Sequence, residues 1–105
     1  MPELSARRIT ISGRVQGVGF RPFVYRLAYL HQIKGWVRNV NGAVEIHAEG
    51  RPAQLLQFSD ALLSEAPPLS LPDPLDIAAC APEYAGAFSI LDSATSSQAL
   101  SLIHI

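Results

Sequence analysis

The sequence holds one cysteine, Cys80, in 105 residues. That excludes an internal disulfide and any metal site built from several cysteines. It has no apolar run near the roughly 20 residues that a membrane-spanning helix needs. The first eight residues are polar and lack the hydrophobic stretch of a secretory signal. Net charge is nearly absent as well, at a formal −1. Without a basic excess there is no electrostatic footprint for general nucleic-acid binding. These absences imply a cytoplasmic protein with no membrane and no nucleic-acid partner.

What is present is material for a core. Hydrophobic residues make up 49% of the chain and charged residues 16%, which excludes disorder over most of the length. The size is that of one domain. Residues 1–92 are expected to form it, and the Ser-, Thr- and Ala-rich stretch 93–99 to be a linker.

Residues 8–15 alternate, with Ile9, Ile11 and Val15 on one face and Thr10, Ser12 and Arg14 on the other. That is the pattern of a strand. Gly17 and Gly19 then free the backbone to turn. Pro22 suits a first helical position. Phe23, Leu27 and Leu30, flanked by Val24 and Ala28, form a helical stripe that is expected to end at Gly35.

A second strand is expected over 36–40. Asn41-Gly42 is a strong hairpin signal, so 43–49 is the paired third strand. Val44, Ile46 and Ala48 face one side of it, and Glu45, His47 and Glu49 the other. Pro52 opens a second helix with Leu55, Phe58 and Leu62 buried, and Pro67-Pro68 stops it. Residues 69–74 are irregular. Residues 75–80 and 87–91 are the last strands, with Phe88 and Ile90 pointing inward. The order βαββαβ plus a short edge strand predicts an α+β, ferredoxin-like sandwich, with two helices on one face of an antiparallel sheet.

The most informative stretch is Gly13-Arg14-Val15-Gln16-Gly17-Val18-Gly19-Phe20-Arg21. It leaves a strand, loops through glycines and enters a helix. Backbone N–H groups at such a junction converge on one concavity, and the helix dipole adds positive character. Arg21 at the helix start can reach the same place, and a guanidinium binds two phosphate oxygens at once. On these grounds the stretch is either an anion cradle or a tight turn beside a surface arginine. Asn39 offers a donor and an acceptor that can orient a water; the alternative is that it shapes the Asn41-Gly42 turn.

These residues resemble the acylphosphatase family. The run at 13–21 matches its phosphate-loop motif, and Gly35-Trp36-Val37-Arg38-Asn39 matches its second motif at the family's spacing. The resemblance covers residues 7–92. It implies the five-stranded sandwich and a hydrolase of acyl phosphates. It assigns phosphate binding to Arg21, water orientation to Asn39, and the cradle to the amides of Val15, Gln16, Gly17, Val18, Gly19 and Phe20. It calls for no cofactor and no metal.

A narrower resemblance is carried by Arg21-Pro22-Phe23-Val24-Tyr25-Arg26-Leu27-Ala28 and by Glu65-Ala66-Pro67-Pro68-Leu69. Both are similar to the N-terminal domain of the hydrogenase-maturation carbamoyltransferases called HypF. That implies carbamoyl phosphate as substrate. It also implies further C-terminal domains, and a partner protein whose C-terminal cysteine receives the carbamoyl group on the way to the cyanide ligands of nickel-iron hydrogenase. The expected protomer is a monomer. A free-standing acylphosphatase is the nearest alternative, and a non-catalytic ferredoxin-like binding module is the alternative of another class. RNA stacking on such a sheet needs exposed aromatics, and the third strand has none.

The sequence offers no convincing acid–base pair or Cys-His dyad. That suits an acyl phosphate, whose leaving carboxylate has a conjugate-acid pKa of about 4 and departs unprotonated. The remaining tasks are charge neutralisation and placement of water. Other titratable residues receive plainer readings. His31 is a solvated or capping residue. His47, Glu45 and Glu49 form a solvated sheet face rather than a metal site. Tyr25 and Tyr29 are packing residues, and Cys80 is a small core residue. Residues 100–105, Leu-Ser-Leu-Ile-His-Ile, resemble the translation of a transposase adapter used in sequencing libraries. They are expected to be an artefact of a truncated gene; the alternative is a genuine extra strand.

Overall fold

The computed structural model describes residues 4–91. The edge of the expected domain at 92, the linker and the expected artefact at 100–105 lie outside the described residues. The elements are β1 (Ser5–Ile11), β2 (Gly13–Arg14), α1 (Phe20–Leu30), β3 (Lys34–Val40), β4 (Ala43–Gly50), α2 (Pro52–Ser64), β5 (Leu71–Pro72), β6 (Asp76–Cys80) and β7 (Phe88–Ile90). Five strands form one sheet in the order β6-β1-β4-β3-β7, and β2 pairs with β5 alone.

The alternation read from the sequence sets the core. Ile9, Ile11, Val37, Val44, Ile46 and Ala48 are buried together with Phe20, Val24 and Leu27 of α1 and Leu55, Phe58 and Leu62 of α2. Both helices therefore cover the same face of the sheet, as expected for a ferredoxin-like sandwich. The hairpin between β3 and β4 turns on Asn41 at φ 48° and Gly42 at φ 85°. Two successive positive φ values give the turn whose twist matches the flanking strands.

Several expectations need correction. The sheet is mixed, because β7 runs parallel to β3 while the other pairs are antiparallel. Pro22 is the third helical residue rather than the first, since α1 begins at Phe20 with Gly19 as its N-cap. It still costs no hydrogen bond, because the first four N–H groups of a helix have no partner within it.

The helix does not end at Gly35. It ends at Leu30, and Gln32 takes the left-handed conformation at φ 59°. The Ile33 N–H donates to the Ala28 carbonyl at 2.8 Å and the Gln32 N–H to the Tyr29 carbonyl at 3.3 Å. This closure satisfies the last carbonyls, usually with glycine at the left-handed position. Gly35 lies instead within β3, at φ 133°, where a Cβ would overlap the His47 carbonyl oxygen. Tyr25, Tyr29, Leu30 and Ile90 are exposed, and Tyr25 meets Phe88 edge-on at 6.4 Å. Phe88 packs against the core as expected.

The expected solvated face of β4 is buried: His47 is 0% and Glu49 2% exposed. The reason is topological. β6 and β7 lie at opposite edges of the sheet, and the helices occupy one face. The connection over residues 81–87 crosses the other face and covers both side chains.

Candidate functional site

The register of the sheet brings the two sequence motifs to one end of the molecule. Asn39 lies opposite Val44, and Val44 lies opposite Ile11 on the far side of β4. Two residues after Ile11 the chain reaches Gly13, and the glycine loop leads from there into α1. Asn39 alternates with Val37, which is fully buried, so it sits on the helix-facing side of β3. The loop, the start of α1 and Asn39 thus share one end of the sandwich, on one side of the sheet. The Gln16 side chain ties them further, donating from Nε2 to the Ala43 carbonyl at 3.4 Å.

The loop's amides are largely uncommitted. Gly17 and Gly19 take φ values of 73° and 78°. Among the described residues, the N–H groups of residues 16–21 form no backbone hydrogen bond. Val15 differs: its N–H donates to the Gly13 carbonyl at 3.0 Å, so it points back into the chain. The helix start carries no side-chain cap and no acidic residue in its first turn. Its partial positive charge is therefore unanswered by the protein. Arg21, partly exposed, forms no ion pair with a described carboxylate.

The Asn39 side chain is equally unclaimed. Its amide oxygen is buried with no hydrogen-bond partner. Leaving such an acceptor unpaired costs about 1–3 kcal/mol, a cost that functional sites commonly carry. The hairpin turn is built by the backbone of Asn41 and Gly42 and takes no hydrogen bond from Asn39 among the described residues. The turn-shaping alternative therefore has no contact behind it.

The buried face of β4 forms a separate network that sequence reasoning missed. His47 Nε2 donates to the Glu49 carboxylate at 2.7 Å. The same carboxylate accepts the backbone N–H groups of Glu83, of Tyr84 at 3.1 Å and of Ala85 at 2.9 Å. Burial pushes the Glu49 carboxyl up, but the hydrogen bonds from His47, Glu83 and Ala85 outweigh it and hold the carboxyl below its ordinary value. His47 stacks on Trp36 at 5.7 Å, and its Nδ1 faces Arg8 at 3.4 Å and the Cys80 sulfur at 3.6 Å. Arg8 and Arg38 both lie over the Trp36 ring and both pair with Glu45. Glu49 lies at the Lys34 and Ser5 end of the sheet, the opposite end from Asn39. Its role is to pin the crossing segment, remote from the loop.

Among the described residues no three His, Cys, Asp or Glu side chains gather as metal ligands. No helix of the described residues is long and apolar enough to cross a membrane. A cleft of about 890 Å³, lined by Tyr25, Tyr29, Lys34, Arg51 and Phe88 among others, lies at the C-terminal end of α1 and includes neither Arg21 nor Asn39.

Comparison with known proteins bears on this arrangement. The sequence profile described as Acylphosphatase matches residues 7–90. The chain is 46% identical over 94 residues to Carbamoyltransferase HypF2 of Cupriavidus necator, covering 89% of this chain and 12% of that protein. It is 52% identical over 68 residues to an acylphosphatase of Pseudothermotoga lettingae, covering 64% of this chain and 75% of that one. The crystal structure of full-length HypF in a phosphate- and nucleotide-bound form superimposes with a TM-score of 0.86 at 34% identity, over 89% of this chain and 12% of that one. Acylphosphatase from Bacillus subtilis superimposes with a TM-score of 0.79 at 38% identity, over 85% of this chain and 99% of that one. The chain thus spans about an eighth of the carbamoyltransferase HypF2 it resembles and nearly all of the small bacterial enzyme's length.

Proposed function

The chain belongs to the acylphosphatase family, whose members hydrolyse acyl phosphates, and on that premise we propose that it hydrolyses carbamoyl phosphate at the loop, Arg21 and Asn39. One observation carries the reading: the uncommitted amides of residues 16–21 and the unpartnered Asn39 amide lie at the same end of the sheet.

The loop amides and the Arg21 guanidinium hold the phosphoryl oxygens and neutralise their charge. Val15 contributes the entry to the cradle rather than an amide, since its N–H is used by Gly13. The Asn39 amide turns about its soft terminal torsion and holds a water in line with the bond from phosphorus to the acyl oxygen. The water oxygen attacks phosphorus, and that bond breaks. The leaving carbamate or carboxylate departs as the anion and needs no proton donor, because its conjugate acid is strong. The water's proton passes to a phosphate oxygen, so no side-chain base is required. Positioning and charge carry such a step.

The chain is read further as the first domain of a carbamoyltransferase that serves nickel-iron hydrogenase maturation. Support comes from the HypF similarity over 89% of this chain and from the Arg21-Pro22-Phe23-Val24 run. Later domains of such a protein would pass the carbamoyl group to a partner's cysteine. In sequence, the acylphosphatase of Pseudothermotoga lettingae matches a shorter part, 64% of this chain.

Phosphate release from three compounds tests the reading. Carbamoyl phosphate and an aryl acyl phosphate should both be hydrolysed, and a simple alkyl phosphate, whose alkoxide leaving group needs a proton, should not. Comparable turnover of the alkyl ester would contradict the mechanism. Turnover of the aryl compound alone would favour the free-standing class.

A further inference from the structure

The proline-rich run after α2 has no part in the chemistry above, yet it grips the chain that enters the phosphate loop. Its ends are fixed, since Ala66 and Leu75 pack against the core. Between them Ser70 donates to the Pro67 carbonyl twice, from its N–H at 2.9 Å and from its hydroxyl at 2.7 Å. Leu71 and Pro72 then pair with Arg14 and Gly13. The Asp73 N–H donates to the Ser12 carbonyl at 2.9 Å.

Gly13 shows how close this approach is. Its φ is 94°, and a Cβ there would overlap the Leu71 carbonyl oxygen and lie 2.9 Å from the Asp73 nitrogen. The Gly13 carbonyl in turn receives the Val15 N–H. A chain of backbone contacts therefore runs from the run to Gly13, from Gly13 to Val15, and on to the amides that follow. Leu69 and Leu71 are 73% and 66% exposed, so the segment is not placed by burying its large side chains. Pro67, Pro68, Pro72 and Pro74 fix their own φ values, which lowers the entropy lost on ordering it.

We propose that residues 67–73 are a positioning strap for the phosphate loop, acting through the backbone of Ser12 and Gly13. The inference rests on the loop being the phosphate site. Without the strap the entry of the loop is free to reorient, and the amides of residues 16–21 no longer converge on one anion.

The test uses inorganic phosphate as the probe and two kinds of variant. Asp73→Pro removes the N–H that grips Ser12 and leaves every group of the cradle unchanged; Gly13→Ala forces the strap away. Asp73→Ala keeps the N–H. The inhibition constant of phosphate and the KM for substrate should rise together by about tenfold in Asp73→Pro, the scale of one lost positioning hydrogen bond. The wild-type constants should return in Asp73→Ala. A merely structural role would lower the unfolding midpoint and leave the phosphate constant of the folded protein unchanged, and that result overturns the strap. Should Gly13→Ala fail to fold, the Asp73 pair decides. Absence of phosphate binding by the wild-type chain would overturn the loop as the site, and the strap with it; binding that Asp73→Pro leaves intact overturns the strap alone.

Discussion

His47 donates its Nε2–H to the Glu49 carboxylate at 2.7 Å, on a sheet face where the two side chains are 0% and 2% exposed. The carboxylate also gathers the N–H groups of residues 83–85. It thereby fastens the segment that connects the two edges of the sheet. Glu49→Gln replaces one accepting oxygen by an amide NH2, itself a donor, that faces these donors. Hydrogen bonds to a charged group contribute about 1.5–3 kcal/mol, so the variant should lose about 2 kcal/mol of stability at neutral pH. Urea denaturation of both proteins measures it.

The same carboxyl sets a pH dependence. Its folded value is lowered from 4.5, so its contribution is complete above about pH 4.5 and is lost as pH falls through the lower folded value. Stability of the wild type should fall on that acid side, and Glu49→Gln should show a shallower decline over the same range. Denaturant midpoints taken from pH 7 down to pH 3 check the sign.

Gly35 is held against the β4 backbone, where a side chain would overlap the His47 carbonyl oxygen at a φ of 133°. Gly35→Ala should cost about 3 kcal/mol or more, as overpacking and backbone strain add. An unfolding midpoint equal to that of the wild type would mean the strands can separate there without loss.

The fold was legible where its causes are local. Asn41-Gly42 announces a hairpin from two residues, and the alternation of Val44, Ile46 and Ala48 announces the core face. The end of α1 was misread because Gln32, not a glycine, takes the left-handed position. The burial of His47 and Glu49 was illegible for a different reason. It follows from strand order, which puts β6 and β7 at opposite edges and forces residues 81–87 across the sheet. Arg21 and Asn39 were visible as residue types in motifs. Their placement at one end needed the register through Val44 and Ile11.

Phosphate should stabilise the folded protein. A ligand that binds only the native state adds about 1.4 kcal/mol at ten times its dissociation constant. The thermal midpoint should therefore rise with inorganic phosphate in the wild type. In Arg21→Ala the rise should be absent at the same concentrations. Chloride at matched ionic strength, which lacks the tetrahedral oxygens the cradle would hold, separates a specific site from general salt effects.

Arg21 and Asn39 are the two side chains on which the hydrolytic reading stands, and neither is committed to holding the fold. The most direct measurement is the rate of phosphate release from carbamoyl phosphate by the wild type, Arg21→Ala and Asn39→Ala, each with its unfolding midpoint. The expected result is a loss of about a hundredfold or more in each variant, with midpoints close to that of the wild type. A folded variant of either residue that keeps the wild-type rate would contradict the account.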